Sequence, residues 1–147
     1  KISIVIHRES IIHSLVEYSD HAILAQLGAP DMRLPIQYAL TWPRRSGGVA
    51  KTLDLLTCPP LTFHAPDCEA FPCLRLALEA ARTGGTATAV LNGANEAAVG
   101  QFLAGKLSFA GIAQKVEEAL AAIPAVQSPG LEEILAADEA ARALVNR

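Results

Sequence analysis

From Cys68 to its end the chain keeps to one pattern: alanine-rich amphipathic segments, each stopped by glycine or proline. The first, CEAFPCLRLALEAARTGG, carries Leu74, Ala77, Leu78 and Ala81 on one stripe and ends at Gly84-Gly85. In the second, TATAVLNGANEAAVGQFLAGK, the apolar positions are Val90, Leu91, Ala94, Ala98 and Phe102. Gly93 and Gly100 each cost this helix roughly 0.5–1 kcal/mol relative to alanine, which predicts close helix approach at both. The third, SFAGIAQKVEEALAAI, takes Ser108 as N-cap and buries Ile112, Val116, Leu120 and Ile123. In the last, SPGLEEILAADEAARALVNR, Ser128-Pro129 reads as cap and first helical residue, and Asp138 as the cap of a second short helix. Short connections between such helices imply a compact four-helix bundle.

The N-terminal portion has another character. ISIVI, residues 2–6, is a continuous β-branched run, as in a strand covered on both faces. Residues 13–27 hold two more runs, split by Ser19-Asp20-His21, where a hairpin turn is expected. Pro35 suits the first turn of a helix that carries Ile36, Ala39 and Leu40 and stops at Trp42-Pro43. RRSGGVAKT, residues 44–52, is a loop by composition. Pro59, Pro60 and Pro66 forbid a long regular element in the stretch that follows. The fold class expected is α+β: a small, mainly antiparallel sheet with a helix, then an alanine-rich four-helix bundle. The domains expected are residues 1–60 and 61–147.

Composition removes several functional classes. The 147 residues can bury a real core, and a net charge of −3 without a basic tract argues against nucleic-acid binding. The apolar fraction is 51%, yet no run approaches the roughly 18 residues of a membrane span. Three irregularly spaced cysteines, Cys58, Cys68 and Cys73, argue for a reducing, cytoplasmic setting. The chain lacks an initiator methionine and runs at once into ISIVI, so a piece of a longer polypeptide is expected.

No residue pattern fixes a chemistry by itself. His7 and His13 stand about 240° apart on a helix, or about 20 Å apart on a strand, and neither arrangement lets them share a metal. Cys58, His64, Cys68 and Cys73 offer zinc-type ligands without a C-x₂-C spacing. G-x-S-x-G, G-x-G-x-x-G and P-loop motifs do not occur. Asn92, Asn95 and Glu96, in LNGANE, form a polar cluster within an apolar helix. It serves either inter-helix hydrogen bonding or a site-facing patch.

IVIHRESIIHSLVEYSDHAILAQLGAPDMRLPIQYALTWPRR, with LDLLTCPPLTFHAPDCEAFPCLRLALEAARTGG, LNGANEAAVGQFL and the closing DEAAR, resembles the 1-deoxy-D-xylulose 5-phosphate reductoisomerase family over essentially the whole chain. Glu9, where the family usually has glutamine, and Gly93, where alanine is usual, depart from it. The resemblance implies an enzyme that rearranges 1-deoxy-D-xylulose 5-phosphate and reduces the product with NADPH to 2-C-methyl-D-erythritol 4-phosphate, in isoprenoid biosynthesis. Mg²⁺ or Mn²⁺ assists as a Lewis acid. By the same resemblance this chain is the end of the central catalytic and dimerising domain plus the C-terminal helical domain. NADPH and metal would be bound mainly elsewhere, and the chain alone would be inactive.

Residue by residue, the resemblance gives His13 a supporting or substrate-side role in catalysis. It places Pro30 and Met32 beside the nicotinamide and substrate, where soft apolar contacts exclude water. His7 is expected to be structural. The partners implied are a phosphorylated sugar and a second copy of the chain joined through the N-terminal strands, with neither nucleic acid nor membrane. The competing reading is a non-catalytic dimerisation or scaffold module.

Overall fold

The computed structural model describes residues 2–48 and 50–147. The chain divides into two compact units, Lys1–Pro66 and Asp67–Arg147. Residues 61–66, expected to open the second domain, lie in the first unit. Ile6 and His64 exchange backbone hydrogen bonds at 2.9 Å in both directions and so hold that stretch back.

The first unit contains a two-stranded antiparallel hairpin, β1 (Ile12–Glu17) and β2 (Ile23–Leu27), and helix α1 (Arg33–Thr41). The hairpin turn falls at the expected residues. His21 takes φ 67° there, and Asp20 Oδ1 accepts the Ala22 N–H at 3.0 Å. Helix α1 carries Pro35 in its first turn and ends before Trp42-Pro43, as proline stereochemistry requires. The expected strand over residues 2–6 does not form. Only Ile6 pairs, through its single bridge to His64, and Ile2, Val5 and Ile6 are exposed rather than covered on both faces. A β-branched run becomes a strand only when a neighbouring ladder receives it, and just one residue of this run has a partner. The loop expected over residues 44–52 includes Val49, which lies outside the described residues.

The second unit is a bundle of α2 (Pro72–Thr83), α3 (Ala87–Leu103), α4 (Phe109–Ala122) and α5 (Leu131–Val145). Its core joins Leu76 of α2, Val90, Ala94 and Ala98 of α3, Ile112, Val116 and Ala119 of α4, and Ala137, Ala141 and Val145 of α5. On α3 and α4 this is close to the expected face. On α2 the buried residues are Leu76 and Ala80, with Cys73 partly buried beside them, and Ala81 of the expected stripe is exposed. The helix carries two apolar stripes, and ionic contacts on its flank favour one rotation. Arg75 donates to Glu79 of its own helix at 3.1 Å and to Glu117 of α4 at 2.9 Å.

Two capping expectations need correction. Ser108 does cap α4, its Oγ accepting the Gly111 N–H at 3.1 Å. Helix α5, by contrast, starts at Leu131 with Gly130 as N-cap, two residues later than expected. The Gly130 N–H donates to the Glu133 carboxylate at 2.7 Å, and Ser128 takes φ 50°. Asp138 starts no second helix. It sits inside a continuous α5, where its carboxylate accepts from Arg142 one turn later at 2.6 Å. Arg142 also donates to Glu96 of α3 at 2.6 Å, so the LNGANE cluster resolves as an inter-helix contact at Glu96. These two carboxylates raise the Arg142 pKa further above its ordinary value, Asp138 by its hydrogen bonds first and Glu96 after it.

The two expected close approaches also separate. A Cβ on Gly93 would meet Asp138 Oδ1 at 2.7 Å and the Asp138 carbonyl oxygen at 2.8 Å, so α5 crosses there at backbone distance. A Cβ on Gly100 would meet nothing within 4 Å. Gly85 is tighter still: its φ is 56°, and a Cβ would lie 2.1 Å from the Val126 carbonyl oxygen that accepts the Thr86 N–H. Gly100→Ala should therefore stabilise the bundle by about 0.5–1 kcal/mol, and Gly85→Ala should destabilise it by about 1–3 kcal/mol. Urea denaturation followed by helical circular dichroism reads both signs.

Candidate functional site

The three residues singled out from the sequence, His13, Pro30 and Met32, all belong to the first unit. In the hairpin register Ile12 faces Leu27 and Ser14 faces Gln26, so two steps on β1 match one step on β2 and His13 is the extra residue of a β-bulge. A bulge of this kind leaves its residue out of the ladder and re-aims the side chain, a device common beside active sites. His13 is exposed there. The Gly28 N–H donates to the Ile11 carbonyl at 3.1 Å, which ties the connection after β2 to the start of β1. Residues 28–32, with Pro30 and Met32, therefore leave from the same end of the hairpin that carries His13. Met32 is the N-cap residue of α1, and its side chain is exposed.

Where the chain enters α1 lies a pair the sequence reading passed over. The Arg33 guanidinium grips Asp31 from two residues away, its Nε 2.9 Å from Oδ1 and 3.1 Å from Oδ2, and its Nη2 2.6 Å from Oδ2. Asp31 Oδ1 also accepts the Arg33 backbone N–H at 3.0 Å. The Arg33 fork and that N–H hold the Asp31 carboxyl below its ordinary pKa, and Asp31 in turn raises that of Arg33. The only sequence signal for this was acid and base two apart in PDMR, a spacing with no fixed meaning outside a turn.

His7 belongs to a separate polar network. Its Nδ1 lies 2.8 Å from the Thr62 carbonyl oxygen and 2.9 Å from Glu9 Oε2. Both are acceptors, so Nδ1 carries the proton. Glu9 accepts in turn from the Thr62 hydroxyl at 2.6 Å and from the Thr62 N–H at 3.2 Å. The imidazole stacks on Phe63, with centroids 4.9 Å apart and planes 18° apart. Its Nε2 is buried without a hydrogen-bond partner. These contacts join residues 6–9 to residues 62–64, so His7 is structural, though the strand it was expected to end does not form.

Among the described residues no three His, Cys, Asp or Glu side chains gather to hold an ion. The second unit has a groove of about 330 Å³ between α2 and α4, with Leu76, Thr83, Ile123 and Pro124 in its wall. The acids at its rim, Glu79 and Glu117, are both engaged by Arg75, so it offers no free general acid or base.

The comparisons with known proteins place this geometry. The model of the DXP reductoisomerase C-terminal domain matches residues 27–144. The chain is similar to the 1-deoxy-D-xylulose 5-phosphate reductoisomerase of Acetivibrio thermocellus, 51% identical over 98% of this chain and 38% of that protein. The enzyme of the same name from Dechloromonas aromatica is 51% identical over 99% of this chain and 37% of its own length. Among solved structures, the Zymomonas mobilis enzyme in complex with NADPH superposes with a TM-score of 0.85 at 46% identity, over 97% of this chain and 38% of that one. A DOX-P reductoisomerase in complex with NADPH, fosmidomycin and magnesium gives 0.86 at 43% identity, over 97% and 37%. The chain thus spans somewhat more than a third of the length of these relatives.

Glu9 yields a prediction of its own. The Thr62 hydroxyl first, then the backbone N–H groups of Glu9 and Thr62 and the neighbouring His7, lower its pKa from 4.5 to about 2. A carboxylate depressed on folding stabilises above its ordinary pKa and loses that contribution as pH falls through the folded value. The melting-temperature advantage of the parent chain over Glu9→Gln should therefore be full above about pH 5 and vanish towards pH 2. Fluorescence of Trp42, the single tryptophan, reports it from within the first unit.

Proposed function

The chain belongs to the DXP reductoisomerase family, which it matches through the C-terminal domain, and from that premise we propose that the complete protein is an NADPH- and divalent-metal-dependent reductoisomerase. Its reaction is the conversion of 1-deoxy-D-xylulose 5-phosphate to 2-C-methyl-D-erythritol 4-phosphate. The observation that carries this reading is the superposition of nearly the whole chain on an enzyme solved with NADPH, fosmidomycin and magnesium. NADPH would supply a hydride. The described residues do not fit a metal, so none of the roles assigned below runs through one.

Within this chain, His13 is assigned to the substrate side. Its place at a bulge supports that, since an imidazole released from the ladder can turn to orient a substrate oxygen or move a proton. Pro30 and Met32 are assigned to the wall beside the nicotinamide, where apolar atoms exclude water from a hydride transfer. Met32 is 63% exposed in the chain by itself, as a residue awaiting a ligand would be. A cytoplasmic setting is consistent with three cysteines that form no disulfide. No helix among the described residues is long and apolar enough to cross a membrane.

The reading includes a homodimer formed through the N-terminal unit. Leu15, Val16, Tyr18, Ile23 and Leu24 are exposed on a hairpin whose outer edges are unpaired, and exposed apolar strands of this kind recruit another chain.

Four measurements test the reading. In the complete protein, His13→Ala should lower kcat/KM by one to two orders of magnitude, or roughly 1.4–2.7 kcal/mol of transition-state stabilisation, with the fold intact. His7→Ala should lower the melting temperature and leave kinetics alone. Unchanged kinetics for His13→Ala would remove its assignment. In light scattering, residues 1–147 should form a dimer or larger oligomer at micromolar concentration and residues 67–147 should not. Fluorescence titration of the 147-residue chain with NADPH should give no saturable micromolar binding.

A further inference from the structure

Asp31 and Arg33 straddle Met32, and four hydrogen bonds close a ring of chain around it. Three come from the Arg33 guanidinium and one from the Arg33 backbone N–H. A surface ion pair ordinarily contributes little to stability. This one differs in what it encloses. The ring contains the backbone of Met32, at φ −65° and ψ −14°, and little else. On one side Pro30 fixes its own φ; on the other the Met32 carbonyl accepts the Ile36 N–H at 3.3 Å and Pro35 stiffens the first turn of α1. Methionine has three rotatable side-chain bonds, so its thioether is only as well placed as the backbone from which it departs.

Starting the helix does not require the guanidinium. The Asp31 side chain already accepts the Arg33 N–H, as an asparagine side chain could, and the Asp31 carbonyl accepts the Leu34 N–H at 3.2 Å. The bidentate fork adds a second, stiffer constraint on the same three residues. The geometry points to Asp31 and Arg33 as positioning residues that act through Met32, holding its side chain at the angle that closes the nicotinamide wall. This rests on the assignment of Met32 made above.

A kinetic double-mutant cycle in the complete protein tests it, with NADPH as the varied substrate. Asp31→Asn keeps the acceptor for the Arg33 N–H and loses the ion pair; Arg33→Lys keeps the charge and loses the fork. Each should lower kcat by about 5- to 20-fold, as loosened alignment of reacting groups does, with the KM for NADPH changed less than about 2-fold. The melting temperature should hold in Asp31→Asn. In a Met32→Ala background the same two substitutions should cost nothing further, because the residue they act through is gone. Clamp variants with parental kcat beside an impaired Met32→Ala would overturn the clamp and leave the pocket assignment standing. A silent Met32→Ala would overturn the pocket assignment and the clamp with it. Losses that multiply in full with that of Met32→Ala, or a kcat loss that tracks a fall in melting temperature for Asp31→Asn, would show a role in local stability alone.

Discussion

The bundle depends on how closely α3 lets its neighbours approach. Ala94 and Ala98 are fully buried along it, Gly93 lies beneath the backbone of α5 at Asp138, and α5 answers with Ala137 and Ala141. With glycine and alanine at most positions of that seam, the two backbones come close enough for dispersion contacts between them. Register and rotation then have to be set from the flanks. Arg142 does so between α5 and Glu96 of α3, and Arg75 between α2 and Glu117 of α4. Partly exposed pairs such as these add little stability, but a seam of small residues supplies few knobs and holes to resist sliding, so they help choose one arrangement among several.

The first unit is organised differently. Among its described residues Ile11 is its buried apolar side chain, and its order rests on directional contacts: the His7–Glu9–Thr62 network, the Ile6–His64 bridge, the hairpin ladder and the Asp31–Arg33 ring. Hydrogen bonds place atoms more sharply than apolar contact does, and the residues assigned to chemistry sit in this unit. Its exposed apolar strands are the counterpart, consistent with a surface that a second chain covers.

Local signals made much of this legible. The turn at Ser19-Asp20-His21, the Pro35 start of α1, the Ser108 cap and the Gly84-Gly85 stop each follow from the stereochemistry of one or two residues, and each stands where it was expected. The family was legible from IHSLVEY, PDMR and LNGANE in their order and spacing, and the domain match agrees with it. Failures came where a partner distant in sequence decides. ISIVI has the composition of a strand, but only Ile6 finds a partner, 58 positions on at His64. Arg75 of α2 reaches Glu117 of α4, 42 positions on, and the Gly130 N–H at the start of α5 is taken up by the Glu133 carboxylate. The bulge at His13 was beyond sequence reasoning, because a one-residue mismatch belongs to the pair of strands and to neither alone.

The alanine seam also bears on how the bundle meets temperature. Ala87, Ala94, Ala98, Ala119, Ala137 and Ala141 lose no rotamer freedom on burial, and each hides only a small apolar area. The heat capacity of unfolding scales with the apolar surface released to water. The alanines of this core release comparatively little apolar surface each, so they flatten the stability curve relative to a core of larger side chains alone.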